Sequence, residues 1–193
     1  RTLLRVMFRK GLFEDNPSRL LDWDKQYPGW NSEPHKAMAR KAAQESIVLL
    51  ENKNNILPLS KSLKSIAVIG PGADDLQPGD YTGKTLPGQL KSVLTGIKGA
   101  VTSSTKVIYE KGCDFFYTEN TQLDKAVKAA QQADVAVLVL GDCTSSEGLS
   151  NLKKTSGENH DYATLVLPGD QQRLLEAVCA TGKPVVLVLQ VGR

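Results

Sequence analysis

Four short apolar runs, set apart by stretches of helical periodicity, leave this chain few folds to choose from. Residues 65–70 (SIAVIG), 106–112 (KVIYEKG), 134–141 (DVAVLVLG) and 183–190 (KPVVLVLQ) are rich in β-branched residues and bounded by polar residues or glycine. Continuous apolar runs such as 65–70, 134–141 and 183–190 read as buried core strands, and 106–112 reads as a further strand. Between them, residues 88–100, 121–133 and 168–181 carry apolar side chains three and four apart: Leu90, Val93, Leu94 and Ile97, then Leu123, Ala126, Val127 and Ala130, then Leu174, Leu175 and Val178. Strand–helix–strand repeats build a parallel sheet with helices packed over it. The expected fold is therefore α/β, a mostly parallel sheet with helices on both faces, a flavodoxin-like α/β sandwich. The 193 residues, 40% hydrophobic and 23% charged, suffice to close one such core.

The first third of the chain is organised differently. Leu3, Leu4, Met7 and Phe8 fall at helical spacing, and Gly11 is a helix stop. Residues 12–32 hold two prolines and two tryptophans, Trp23 and Trp30, without periodicity, and read as a linker whose rings anchor it to a surface. Residues 33–51 carry a stripe of Ala37, Ala39, Ala42, Ala43, Ile47, Val48 and Leu50, and predict a helix beginning near Ser32 and Glu33. The chain opens without Met and stops just after a strand, so both ends look cut and the absence of a visible targeting signal carries no information.

Composition removes several function classes. The net charge is only +3, and the basic residues are scattered rather than gathered with aromatics on one face, which argues against nucleic-acid binding. Cys113, Cys143 and Cys179 lie far apart and only two histidines accompany them, so no metal site and no cofactor are expected. An odd cysteine count leaves at least one free thiol or an intermolecular bridge. No stretch approaches the roughly 20 apolar residues of a membrane span, so no membrane partner is expected. The turn Gly70-Pro-Gly-Ala-Asp-Asp follows a strand but lacks the spacing of a phosphate-binding loop.

In sheets of this kind, ligands bind beyond the carboxyl ends of the strands. Of the connections leaving those ends, residues 141–167 form the longest, and loops beyond about 15 residues are usually functional or disordered. This loop holds Asp142, Glu147, Glu158 and Asp161 beside Lys153, Lys154, His160 and Tyr162. Carboxyl groups with hydroxyls and a basic partner suit sugar recognition and proton transfer; a solvated charged loop is the plainer reading.

Several segments resemble glycoside hydrolase family 3, in order and at natural spacing along nearly the whole chain. RTLLRVMFRKGLFEDN is similar to the exit from that family's N-terminal barrel, and SEPHKAMARKAAQESIVLLENKNNILPL to the helix opening its second domain. SIAVIGPGAD resembles the first sheet strand and turn, and LVLPGDQQRLLEAVCATGKPVVLVLQVGR the closing helix and strand. The nearest likeness is to β-glucosidase-like members of fungal type. On this resemblance, residues 1–32 are the end of a preceding barrel domain and its linker, and 33–193 are the α/β sandwich domain, truncated at its C-terminus.

The resemblance implies a retaining, exo-acting β-glycosidase of β-glucosidase type, with β-xyloside as the alternative substrate. The barrel would bring an Asp nucleophile and this domain a general acid/base Glu. Glu147, in Gly141-Asp-Cys-Thr-Ser-Ser-Glu147-Gly148, matches the family's acid/base pattern, although Ser146 replaces its usual Gly. Glu158, in Gly157-Glu-Asn-His-Asp161, is the second candidate; Tyr162 stands where that pattern carries Arg. Asp142, His160 and Asp161 are candidate substrate-binding residues, while His35 is expected to pack or cap at the domain junction. The expected partners are a β-linked glucoside or oligosaccharide and the N-terminal barrel domain of the same protein. A secreted or extracellular location is expected, with a cytoplasmic one open. The contrasting reading is a non-catalytic, flavodoxin-like interaction module that uses the long loop for a partner.

Overall fold

A computed structural model of the chain describes residues 2–13, 31–79, 90–119, 121–144 and 154–192. The chain divides into two compact units, Arg1–Asn52 and Lys53–Arg193.

The first unit contains helix α1 (Thr2–Arg9) and helix α2 (Glu33–Glu45), neither of which buries a residue. Gly11 (φ 69°) closes α1: its N–H donates to Phe8 O at 3.0 Å, and the Leu12 N–H reaches back to Met7 O at 3.1 Å. This paired closure satisfies carbonyls that the helix end would otherwise leave open. Helix α2 begins after Ser32, with Pro34 in its first turn and Lys36 bonded to Glu33 at 2.8 Å. It stops at Glu45, short of the expected 51. The Ser46 hydroxyl turns back onto Ala43 O at 2.8 Å, and the β-branched pair Ile47 and Val48 follows. Both features weaken a helix at this point, and Ile47 to Leu50 leave it exposed.

The second unit is the sandwich. Strands β1 (Ser65–Ile69), β2 (Lys106–Glu110), β3 (Val135–Gly141) and β4 (Val185–Gln190) form one sheet in the order β2-β1-β3-β4, every pair parallel. Helices α3 (Val93–Ala100), α4 (Leu123–Gln131) and α5 (Gln171–Cys179) make the crossovers. Ser92 caps α3, its hydroxyl accepting the Thr95 N–H at 3.1 Å.

Side chains alternate across a strand, so each apolar run divides between two cores. Ala67, Ile69, Ala136, Leu138 and Leu140 meet Ala126, Ala129 and Ala130 of α4 and Leu174 and Val178 of α5. Ile66, Val68, Val135, Val137 and Val139 face Leu94 of α3. Helices thus cover both faces, as the alternation of elements requires. Every residue of β3 is buried, and burying a Leu or Val of this kind contributes about 2 kcal/mol. In β4, Val186 and Val188 join the α3 side, while Leu187 and Leu189 stay 40% exposed. No described helix is long and apolar enough to cross a membrane.

Candidate functional site

From β1 the chain crosses to β2 on one side of the sheet; later it proceeds to β3 and β4 on the other. The order therefore reverses between β1 and β3, and ligand crevices in open α/β sheets form outside the carboxyl ends at such a point. β1 is followed directly by a glycine and β3 ends on one. Gly70 (φ 118°) and Gly141 (φ 143°) have conformations that side chains rarely adopt. A Cβ would lie 2.3 Å from Val139 O at Gly70, and 2.1 Å from Gln190 O at Gly141. The close approach is used: Gly72 N–H donates to Val139 O at 3.2 Å and Asp142 N–H to Gln190 O at 2.9 Å.

Immediately beyond Gly141 the long loop is drawn together at its base. Thr155 N–H donates to Cys143 O at 2.7 Å, and the Thr155 hydroxyl accepts the Cys143 N–H at 2.6 Å. The same hydroxyl lies 3.4 Å from Asp142 Oδ1. Asp142 is only 2% exposed, so the structure places this candidate at the neck of the loop. Thr144 N–H reaches Gln77 Oε1 at 3.4 Å, joining the neck to the segment after β1. Glu147 and Lys153, expected in this loop, lie outside the described residues.

After the neck, residues 157–160 make a tight turn. His160 N–H donates to Gly157 O at 3.0 Å, and Asn159 takes φ 59°. Glu158 is exposed on this turn, and His160 Nδ1 lies 3.2 Å from its carbonyl oxygen. Asp161 follows, its Oδ1 accepting the Tyr162 N–H at 3.1 Å. Glu158 and His160 thus share one turn and Asp161 follows it directly, with Asp142 at the loop's base.

The sequence reading overlooked Gln171. Its helix was expected from Pro168, which makes position 171 one more polar residue in a first turn. The helix instead begins at Gln171, and that side chain is fully buried. Its Oε1 accepts the Gly141 N–H at 2.8 Å, and its Nε2 lies 2.9 Å from both Phe115 O and Gly141 O and 3.2 Å from Pro168 O. One amide therefore ties the end of β3, the segment after β2 and the segment before α5. Only the polar residue's place at a strand–helix junction hinted at it.

Burial and hydrogen bonding move three groups near this rim away from their ordinary ionisation. Burial pushes the Cys113 thiol up to about 12, so it is protonated at neutral pH and a poor nucleophile. Partial burial also raises Asp75, in the turn after β1, against the opposing pull of Lys111. Asp170 is held below the ordinary carboxylate range by the Thr121 hydroxyl and by Arg173, whose guanidinium lies 2.9 Å away. Among the described residues, no group of three or more His, Cys, Asp or Glu is placed to hold a metal ion.

Residues 47–193 match the description "Glycosyl hydrolase family 3 C-terminal domain". The chain belongs to this family. It is 38% identical over 99% of its length to a β-xylosidase of Formosa agariphila, covering 26% of that protein. It is 36% identical over 100% of its length to a periplasmic β-glucosidase of Salmonella typhimurium, covering 27% of it. Among solved structures, a β-glucosidase involved in saponin metabolism from intestinal bacteria superposes with a TM-score of 0.72 at 30% identity, over 97% of this chain and 28% of that one. This family 3 domain thus spans about a quarter of the length of the relatives it matches.

Proposed function

We propose that this domain supplies the general acid/base of a retaining, exo-acting β-glycosidase, with Glu147 as that residue. The observation that carries the reading is the exit of β3. The most deeply buried strand of the sheet ends at the reversal in strand order, and its outgoing loop, gathered at Cys143 and Thr155, contains Glu147 in sequence. A barrel domain of the same protein provides the nucleophilic Asp. In a retaining enzyme the two carboxyl groups stand about 5–5.5 Å apart across the scissile bond. Glu147 protonates the departing oxygen while the nucleophile attacks the anomeric carbon; Glu147 then deprotonates the water that releases the sugar. Its carboxyl must be protonated at the outset, which a site closed to water between two domains promotes.

β-Glucoside is the proposed substrate. β-Xyloside is the second reading, favoured by the β-xylosidase name of the Formosa agariphila relative. Asp142, His160 and Asp161 are proposed to support or contact the sugar from the loop base and the turn. The periplasmic relative supports an exported protein.

Aryl glycosides of graded leaving-group acidity test the assignment in the full-length enzyme. Glu147→Gln is expected to lower kcat/KM for a phenyl glycoside by about 100-fold or more, and to spare a dinitrophenyl glycoside, which departs without protonation. Glu158→Gln is expected to leave the leaving-group dependence unchanged. The reverse pattern would move the acid/base to Glu158.

A further inference from the structure

We propose that Gln171 and Thr155 form a two-point clamp that positions the acid/base loop, and so act as positioning residues for glycoside cleavage; the inference rests on the functional reading above. Gln171 holds the last residue of β3 from both sides, accepting the Gly141 N–H at 2.8 Å and donating toward Gly141 O at 2.9 Å. The same amide group reaches Phe115 O and Pro168 O. Thr155 holds the next two residues, through Cys143 N at 2.6 Å, Cys143 O at 2.7 Å and Asp142 Oδ1 at 3.4 Å. Three consecutive positions, Gly141 to Cys143, are thereby bonded by Gln171 and Thr155, residues 0% and 1% exposed, with the Cys143 O bond made by the Thr155 main-chain N–H.

Buried polar groups are retained where their bonds are made, and a fully satisfied set rigidifies the backbone it binds. Here the backbone so held is the root of the segment that carries Glu147. Both side chains bond at the point where the loop leaves β3. The clamp therefore acts on where the loop leaves the sheet. General acid catalysis depends on hydrogen-bond reach, so a displacement of about 1 Å at the loop root is enough to cost rate.

A double-mutant cycle in the full-length enzyme separates positioning from simple stabilisation. Gln171→Glu keeps an acceptor for Gly141 N–H and removes the donor facing three carbonyl oxygens. It is expected to lower kcat/KM for a phenyl glycoside by about 10-fold or more, with less than about a 2-fold change for a dinitrophenyl glycoside. Made in a Glu147→Gln background, it is expected to cause no further loss. Should Gln171→Glu fail to fold, Thr155→Val carries the same test, because it removes one hydroxyl and keeps the Thr155 N–H bond to Cys143 O. Equal losses on both glycosides, or losses that multiply with that of Glu147→Gln, would overturn the clamp. A Glu147→Gln parent without leaving-group selectivity would overturn the functional reading itself, and is seen in the parent alone.

Discussion

At Gly141 the strand ends where a side chain has no room. A Cβ would stand 2.1 Å from Gln190 O and 2.7 Å from Gln190 C, both backbone atoms that cannot swing aside, and φ is 143°. Gly141→Ala is therefore expected to destabilise the domain by about 2 kcal/mol or more, measured by urea denaturation; an unchanged midpoint would contradict the packing described. That glycine was legible in the sequence, since a glycine closing an apolar run marks a strand end. Gln171 was not legible. Polar residues in a first helical turn usually face water, and only the fold brings Gly141, Phe115 and Pro168 around this one. Asp142 shows the same gap: its place after β3 could be read, but not its burial beside Thr155.

The strands and helices were the most legible elements because burial on two faces forces continuous apolar runs in β1 and β3 and a single stripe on each helix. Which strand residues face α4 and α5, and which face α3, follows from parity once the sheet order is known. The α2 end was overestimated because an apolar stripe continues past Ser46 while the backbone does not. Two carboxylates tie elements together in ways that periodicity does not reveal. Asp134, just before β3, accepts the Ser65 and Lys64 N–H groups at the start of β1, at 2.9 and 2.8 Å. Asp170, at the start of α5, accepts from the Thr121 hydroxyl ahead of α4.

Both groups lie below their ordinary range, Asp134 through the Ser65 and Lys64 amides and Asp170 through Thr121 and Arg173. A depressed carboxyl contributes stability that is fully present above its unfolded value of about 3.9 and is lost as pH falls through its folded value. The thermal midpoint is expected to drop as pH is lowered below about 4, and to drop less steeply in Asp134→Ala and Asp170→Ala. Identical pH slopes in wild type and both variants would show that these ties contribute nothing.

For the whole molecule, the sequence of elements was enough to predict a parallel sandwich, and ordered segment likeness pointed to glycoside hydrolase family 3; the match over residues 47–193 bears out the family. The relatives are about four times longer than this chain, which is why a reaction needing two carboxyl groups is proposed for the longer enzyme. What the sequence lacked was the third dimension of the loop root: residue 155 lies far enough along the chain from 142 and 143 that no local pattern announces their contact. The central claim is that a carboxyl group on the loop after β3 acts as acid and then base. Azide added to full-length Glu147→Gln tests it most directly, because azide attacks the glycosyl–enzyme without needing a base. Faster turnover with release of a β-glycosyl azide is the predicted result; no acceleration, or an azide product of α configuration, would contradict it.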